Sequence, residues 1–236
     1  MNQPDLPSAE LLRRQAERLC AMRSRLLRRA EIAHRRVVVD LGAGRGAVTP
    51  ELARRGGGIV VAVDRRREPL RGLAVPAVGA DAARLPFRDR SVDLVFVQFV
   101  FLWLAAPVAA LGELRRVLRP GGVLLAVEPD YGGLVEHPPE LALGALWRAA
   151  LARAGADPLV GRKLGPWLGA AGFRVRVDLV PTVDDAGSER FELLGELPLE
   201  PVERAALARA RSAEAALPAA ARFVHLPVYW FTATAP

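Results

Sequence analysis

Asp40 closes a β-branched run, Val37-Val38-Val39, and glycines follow at 42, 44 and 46. That spacing suits a strand that ends in an acid and then turns tightly. Glycine permits the turn and lets the backbone approach a ligand closely. A carboxylate before the first glycine would repel a pyrophosphate and suits a cation such as an amino-acid ammonium or a sulfonium. Asp64 lies 18 residues after Gly46. An acid at that separation can accept both hydroxyls of a ribose. Asp81 follows Gly79-Ala80, and a carboxylate there can accept from an adenine amino group. Three acids placed after successive strands point to a nucleoside-containing ligand at the carboxyl edge of an open α/β sheet.

Gly42-Ala43-Gly44-Arg45-Gly46-Ala47 also satisfies the loose dinucleotide pattern G-x-G-x-x-G/A. The charge of Asp40 places S-adenosylmethionine ahead of NAD.

The elements that must position these residues alternate along the chain. Strands are expected at 37–40, 59–64, 76–79, 92–98, 123–128, 173–180 and 222–232. Helices are expected at 8–33, 47–55, 107–118, 141–154, 163–171, 190–194 and 201–216. Ser8 can cap the first helix, and Leu12, Ala16, Leu19, Met22, Leu26 and Ala30 follow helical spacing. Arg119-Pro120-Gly121-Gly122 is a helix stop and turn. Such alternation implies a parallel sheet with right-handed crossovers. Pro129, Gly132, Gly133, Pro138 and Pro139 interrupt the rhythm, so residues 130–160 are expected to be an insertion over the carboxyl edge. The chain is expected to form a single domain, 1–236.

At this point the residues resemble the class I S-adenosylmethionine-dependent methyltransferases. Five pieces fall in order: residues 37–46, Asp64, Asp81 with Leu85-Pro86-Phe87, Ser91-Val92-Asp93-Leu94-Val95, and residues 114–122 ending in Arg119-Pro120-Gly121-Gly122. The resemblance is closest to the subgroup acting on small molecules and lipids. It implies a Rossmann-like α/β fold: an open, mostly parallel seven-stranded sheet, helices on both faces, and an antiparallel last strand at Arg222 to Thr232. It further implies that Asp40, Gly42, Ala43, Gly44 and Gly46 line the methionine part of the cofactor. Asp64 with Arg65 would hold the ribose, and Asp81 with Ala82 the adenine. Gln98 and Phe99 would lie beside the methionine end. One of Phe99, Phe101 and Trp103 could face the sulfonium, because a cation over an aromatic ring is favourable.

Methyl transfer requires alignment, exclusion of water and, for some acceptors, removal of a proton. Glu128, Asp130, Tyr131 and His137 are the candidates for acceptor contact or general base. No Asn/Asp-Pro-Pro-Tyr follows strand four, where Gln98-Phe99-Val100-Phe101 stands, and no cysteine follows strand four or five. These absences disfavour adenine or glutamine amino groups and pyrimidine C5 as acceptors. A small molecule is the expected acceptor, with residues 130–160 as its lid.

Composition constrains the alternatives. The chain has 236 residues, 51% hydrophobic, and a net charge of +7. All but one of its 33 basic residues are arginines, Lys163 being the exception, a bias typical of GC-rich coding that weakens charge as a functional signal. Nine arginines against four acids precede residue 37. This stretch reads as a solvated helix face, or else as a grip on RNA phosphates. A non-catalytic cofactor-binding protein and an NAD-dependent reductase complete the competing readings. One cysteine and three separated histidines give no metal or disulfide framework. Residues 94–112 lack charge, but Gln98, Pro107 and Gly112 interrupt them, which argues against a membrane span. With no apolar leader visible, the expected location is the cytoplasm.

Overall fold

The computed structural model describes residues 7–179 and 189–236. Seven strands form one sheet: β1 (Val37–Leu41), β2 (Ile59–Asp64), β3 (Ala77–Gly79), β4 (Val92–Gln98), β5 (Leu118–Pro129), β7 (Arg174–Leu179) and β9 (Val228–Thr234). Their order is β3-β2-β1-β4-β5-β9-β7. β9 runs antiparallel to both neighbours, and the pairs among β1 to β5 are parallel. The chain order reverses between β1 and β4, so a crevice opens beyond their carboxyl ends.

Both faces of the sheet are covered at its centre, which is why β1, β2 and β4 read as largely apolar runs, whereas β7 at the edge alternates and is mostly exposed. Leu94 and Phe96 of β4 pack on one side with Leu26, Leu27 and Leu52. Val95 and Val97 pack on the other with Leu111, Leu114 and Leu164. Helices α1 (Ala9–Arg18), α2 (Cys20–Arg29) and α3 (Thr49–Arg55) precede β2. Helices α4 (Pro107–Val117), α5 (Gly144–Arg153) and α6 (Val160–Ala170) serve the opposite face, followed by α7 (Glu189–Gly195) and α8 (Pro201–Ala215). Two short strands, β6 (Val135–His137) and β8 (Phe223–His225), pair antiparallel in a separate ribbon.

Several expected elements differ. The helix expected over 8–33 starts as foreseen, with the Ser8 hydroxyl accepting from Leu11 N–H, but bends at Leu19. There the Ala16 carbonyl accepts from Leu19 N–H and from the guanidinium of Arg23, so the side chain of Arg23 satisfies a group that the bend disturbs. The helix expected from Ala47 begins at Thr49, because Gly42, Gly44 and Gly46 all adopt positive φ and helical geometry cannot start until the turn is complete. Residues 119–122 interrupt the β4–β5 ladder without ending the strand: Val92 pairs with Leu118 and Leu94 with Val123. The expected strand at 222–232 divides around Leu226-Pro227 into β8 and β9. α6 starts at Val160, three residues early, since Asp157 accepts from Leu159 N–H and Val160 N–H and so forms its first turn. Val180, the expected end of β7, lies outside the described residues. No described helix is long and apolar enough to cross a membrane.

Candidate active site

A cavity of about 430 Å³ lies beyond the carboxyl ends of β1, β2 and β4. Asp40, Gly42, Ala43 and Gly44 form one part of its wall, Asp64 and Arg65 the next, Asp81 and Ala82 a third, and Gln98 with Phe99 complete that side. The structure therefore brings together ten of the eleven residues expected to hold a cofactor. Gly46 is the exception. Its N–H donates to the Ala43 carbonyl at 2.8 Å, and a Cβ would meet Leu73 at 2.4 Å, so it shapes the turn from behind.

The glycine turn works differently from a phosphate cradle. Gly42 and Ala43 both donate their N–H groups to the Val63 carbonyl, at 2.7 and 3.0 Å. Gly44 N–H donates to an oxygen of Asp64 at 2.9 Å. These donors are committed within the protein, whereas a pyrophosphate needs free ones. What the glycines contribute is space: a Cβ on Gly42 would stand 2.2 Å from a methyl of Val100. Asp64 is fixed through both oxygens, the second accepting from Arg66 N–H at 2.9 Å. Each oxygen keeps a lone pair for a ribose hydroxyl. Asp81 is exposed and accepts from Ala83 N–H at 2.8 Å.

Asp40 is 4% exposed and accepts from the Thr49 hydroxyl at 2.6 Å. Burial pushes its pKa up to about 6, against the opposing pulls of Thr49 and Arg23. It is thus ionised at neutral pH and faces the cavity as a poorly solvated anion, ready for a cationic group. Protonation below about pH 6 removes that charge. S-Adenosylhomocysteine, whose ammonium persists there, is expected to lose affinity as pH falls below about 6, approaching tenfold per unit. In Asp40→Asn the profile should be flat, which titration calorimetry at pH 5, 6 and 7 checks.

Only one of the four catalytic candidates lines the cavity. Tyr131 does so, with its ring stacked on Trp147 at a centroid distance of 4.9 Å. Burial raises its hydroxyl far above the usual tyrosine range, which disfavours loss of its proton. Glu128 is fully buried behind the wall and accepts from the N–H groups of Val100, Phe101 and Leu102 at 2.9, 2.8 and 3.4 Å. Asp130 is 2% exposed and committed to Arg162 at 2.7 Å and to Gly132 N–H. His137 is exposed on the β6–β8 ribbon against Phe223. These three corrections share one cause: a position near a strand end in sequence does not say which side of the backbone the group occupies.

Glu128 nonetheless shapes the site. Phe99 adopts φ +57°, a left-handed conformation uncommon for a bulky residue and costing about 1–3 kcal/mol. Its N–H bonds the Val127 carbonyl at 2.9 Å, and Glu128 clamps the next three N–H groups, so the strain is imposed by neighbours on both sides. Phe99 and Trp103 line the cavity, whereas Phe101 is buried in the core.

The remaining wall was not foreseen in full. Leu12 and Gln15 come from α1, Trp147 and Leu151 from α5, Leu193 from α7, and Glu196 and Leu197 from the turn that follows α7. The stretch 130–160 thus contributes Tyr131, Trp147 and Leu151 to the wall, while α7 and the turn after it supply a share with no local sequence signal. Four arginines of the N-terminal helices pair within the chain: Arg13 meets Glu10 and Glu17, Arg14 meets Glu192, Arg18 meets Glu189, and Arg29 meets Asp178.

A family model described as a methyltransferase domain matches residues 39–126. This span contains the end of β1, β2 to β4, the glycine turn and every expected cofactor-binding residue. Residues 39–126, rather more than a third of the chain, are thus similar to a methyltransferase domain. The chain's likeness to curated proteins extends further. The chain is 36% identical over 126 residues to the demethylmenaquinone methyltransferase of Thermus thermophilus, covering 49% of this chain and 54% of that protein. It is 41% identical over 96 residues to malonyl-[acyl-carrier protein] O-methyltransferase 1 of Coxiella burnetii, covering 39% and 34%. The chain therefore spans about half or less of the length of these relatives. A solved methyltransferase of Archaeoglobus fulgidus superposes with a TM-score of 0.57 at 18% identity, covering 91% of this chain and 93% of the other. At that identity the likeness concerns the fold alone, the seven-stranded sheet with helices around it.

Proposed function

We propose that the chain is an S-adenosylmethionine-dependent methyltransferase that transfers a methyl group to an O, N or C atom of a small-molecule acceptor. One observation carries this reading: a single cavity joins three strand-end acids to an apolar chamber walled by Phe99, Trp103, Tyr131 and Trp147. The acids fit the cofactor in order, Asp40 opposite an ammonium, Asp64 at the ribose, and Asp81 with Ala82 at the base. When bound, the cofactor supplies a methyl already activated on a sulfonium. The protein's share is to align the acceptor and exclude water. The relatives named above support small-molecule or lipid-like acceptors, and the pairing of Arg13, Arg14, Arg18 and Arg29 within the chain weighs against an RNA-gripping helix. A lone cysteine fits the reducing cytoplasm, where we place the enzyme.

With the Tyr131 hydroxyl raised by burial, proton removal rests with the acceptor's own acidity or with Glu196, which follows α7 and lines the cavity. Calorimetry provides the test. S-Adenosylhomocysteine is expected to bind and NAD not to bind. Asp64→Ala should weaken the former by about 1.5–3 kcal/mol, the scale of charge-assisted hydrogen bonds, with the fold retained by circular dichroism. Tight NAD binding without S-adenosylhomocysteine binding overturns the assignment, and unchanged affinity in Asp64→Ala removes Asp64 from the ribose site.

A further inference from the structure

A second cavity of about 140 Å³ adjoins the first. Gln15, Phe99, Tyr131, Trp147 and Leu193 line both, so the two spaces are contiguous across shared side chains. The far wall of the smaller chamber is apolar, made by Leu134, Val224, Leu226 and Val228. Its charged lining is matched internally. Arg190 donates to Glu136 at 2.6 Å and also to Glu214, and Arg18 donates to Glu189 at 3.3 Å. An anionic head entering here would meet Glu136 and Glu189, and a cationic one would meet Arg18 and Arg190. Each would be stripped of water with no unmatched partner in return. An uncharged apolar group meets neither penalty and gains from burial.

We propose that the methyl acceptor carries an uncharged, apolar arm, and that this side chamber receives the arm while the reacting part occupies the main cavity. This rests on the methyltransferase reading above, because the shared boundary places the arm beside the expected methyl position. The walls that set arm length are Leu134, Val224 and Leu226, brought by the β6–β8 ribbon and its flanks. None of them is among the expected cofactor contacts.

The test uses the full chain saturated with S-adenosylhomocysteine and a series of 4-alkylphenols from methyl to octyl, followed by tryptophan fluorescence. Affinity is expected to rise about fourfold per buried methylene, the free energy of one CH₂ leaving water, and then to level off when the chamber is full. Val224→Phe should bring that plateau to shorter arms, at least tenfold weaker for octylphenol, with methylphenol unchanged. Val224→Ala should move it to longer arms and keeps the test open if the larger residue disturbs folding. A response blind to arm length, or the same plateau in wild type and variants, overturns the proposal. S-Adenosylhomocysteine binding is read separately by calorimetry. Its absence would strike the methyltransferase reading, whereas a length-blind series with that ligand bound strikes the side chamber alone.

Discussion

Arg23→Met is expected to lower the unfolding free energy by about 3–5 kcal/mol, the usual cost of stranding one partner of a buried ion pair. Arg23 is 3% exposed and Glu51 7%. The guanidinium donates to Glu51 at 2.7 Å, to the Ala16 carbonyl at 2.8 Å and to Oε1 of Gln98 at 3.2 Å. One side chain thereby joins the α1–α2 bend, α3 and the end of β4. Glu51 also accepts from the Ser24 hydroxyl and from Arg55, which places the loss toward the lower end of that range. Burial pushes the Glu51 pKa up, but Arg23, Ser24 and Arg55 together hold it below the ordinary carboxylate value. A lowered folded-state value gives stability that is present above the ordinary carboxylate range and is lost as pH falls through the folded value. The deficit of Arg23→Met against wild type should therefore shrink in acid. Urea unfolding at pH 7 and pH 4 checks both statements. Arg23→Met with Glu51→Met should recover part of the loss, since the pair is then removed together. A deficit under about 1 kcal/mol at pH 7 would mean that the pair is effectively solvated.

The second large effect concerns Glu128. It is fully buried and accepts three backbone N–H groups. Burial raises its pKa to about 8, and those N–H bonds pull only partly the other way. For an acid with a raised folded-state pKa, the stabilising contribution is complete below the ordinary value near 4.5 and is lost as pH rises through about 8. Wild type is expected to become less stable by a few kcal/mol between pH 5 and pH 8 on account of this group. Glu128→Gln should abolish that slope, because its amide carbonyl accepts from Val100 and Phe101 without titrating, and should exceed wild type in stability above pH 8. Glu128→Ala should weaken S-adenosylhomocysteine as well, since nothing would then fix residues 99–102 beneath the strained Phe99. A wild-type profile level across this window would show Glu128 to be ionised throughout.

The strands that carry the acids were legible because their signals are local. β2 and β4 begin and end where β-branched runs meet Asp64 and Gln98. The Asp40, Asp64 and Asp81 positions follow from strand ends alone, and all three reach the cavity. The acceptor side was less legible. Arg14 and Glu192 are 178 positions apart, and no periodicity announces that α7 will lie on α1. Arg23 falls in the apolar stripe of its helix, where pattern gives an arginine no role. Glu128 and Asp130 flank Pro129 beside Tyr131, yet only Pro129 and Tyr131 of the four reach the cavity. The sense in which each residue leaves the sheet edge is decided by the N–H groups of 100–102 and by Arg162, both distant in sequence.

The position of β9 has a consequence for biosynthesis. This strand sits between β5 and β7 in the sheet, although it is the last of the described strands to be made. β5 leaves the ribosome with one apolar edge, Leu124 to Val127, that has no permanent partner for about a hundred further residues. At about 5–20 residues per second, that edge stays open for roughly 5–20 s. A nascent chain stalled after α8 would hold the completed cofactor half of the sheet beside an unpaired strand, a template for pairing with another copy. A chain cut after residue 217, which keeps β5 but lacks β9, should therefore aggregate far more than the full chain.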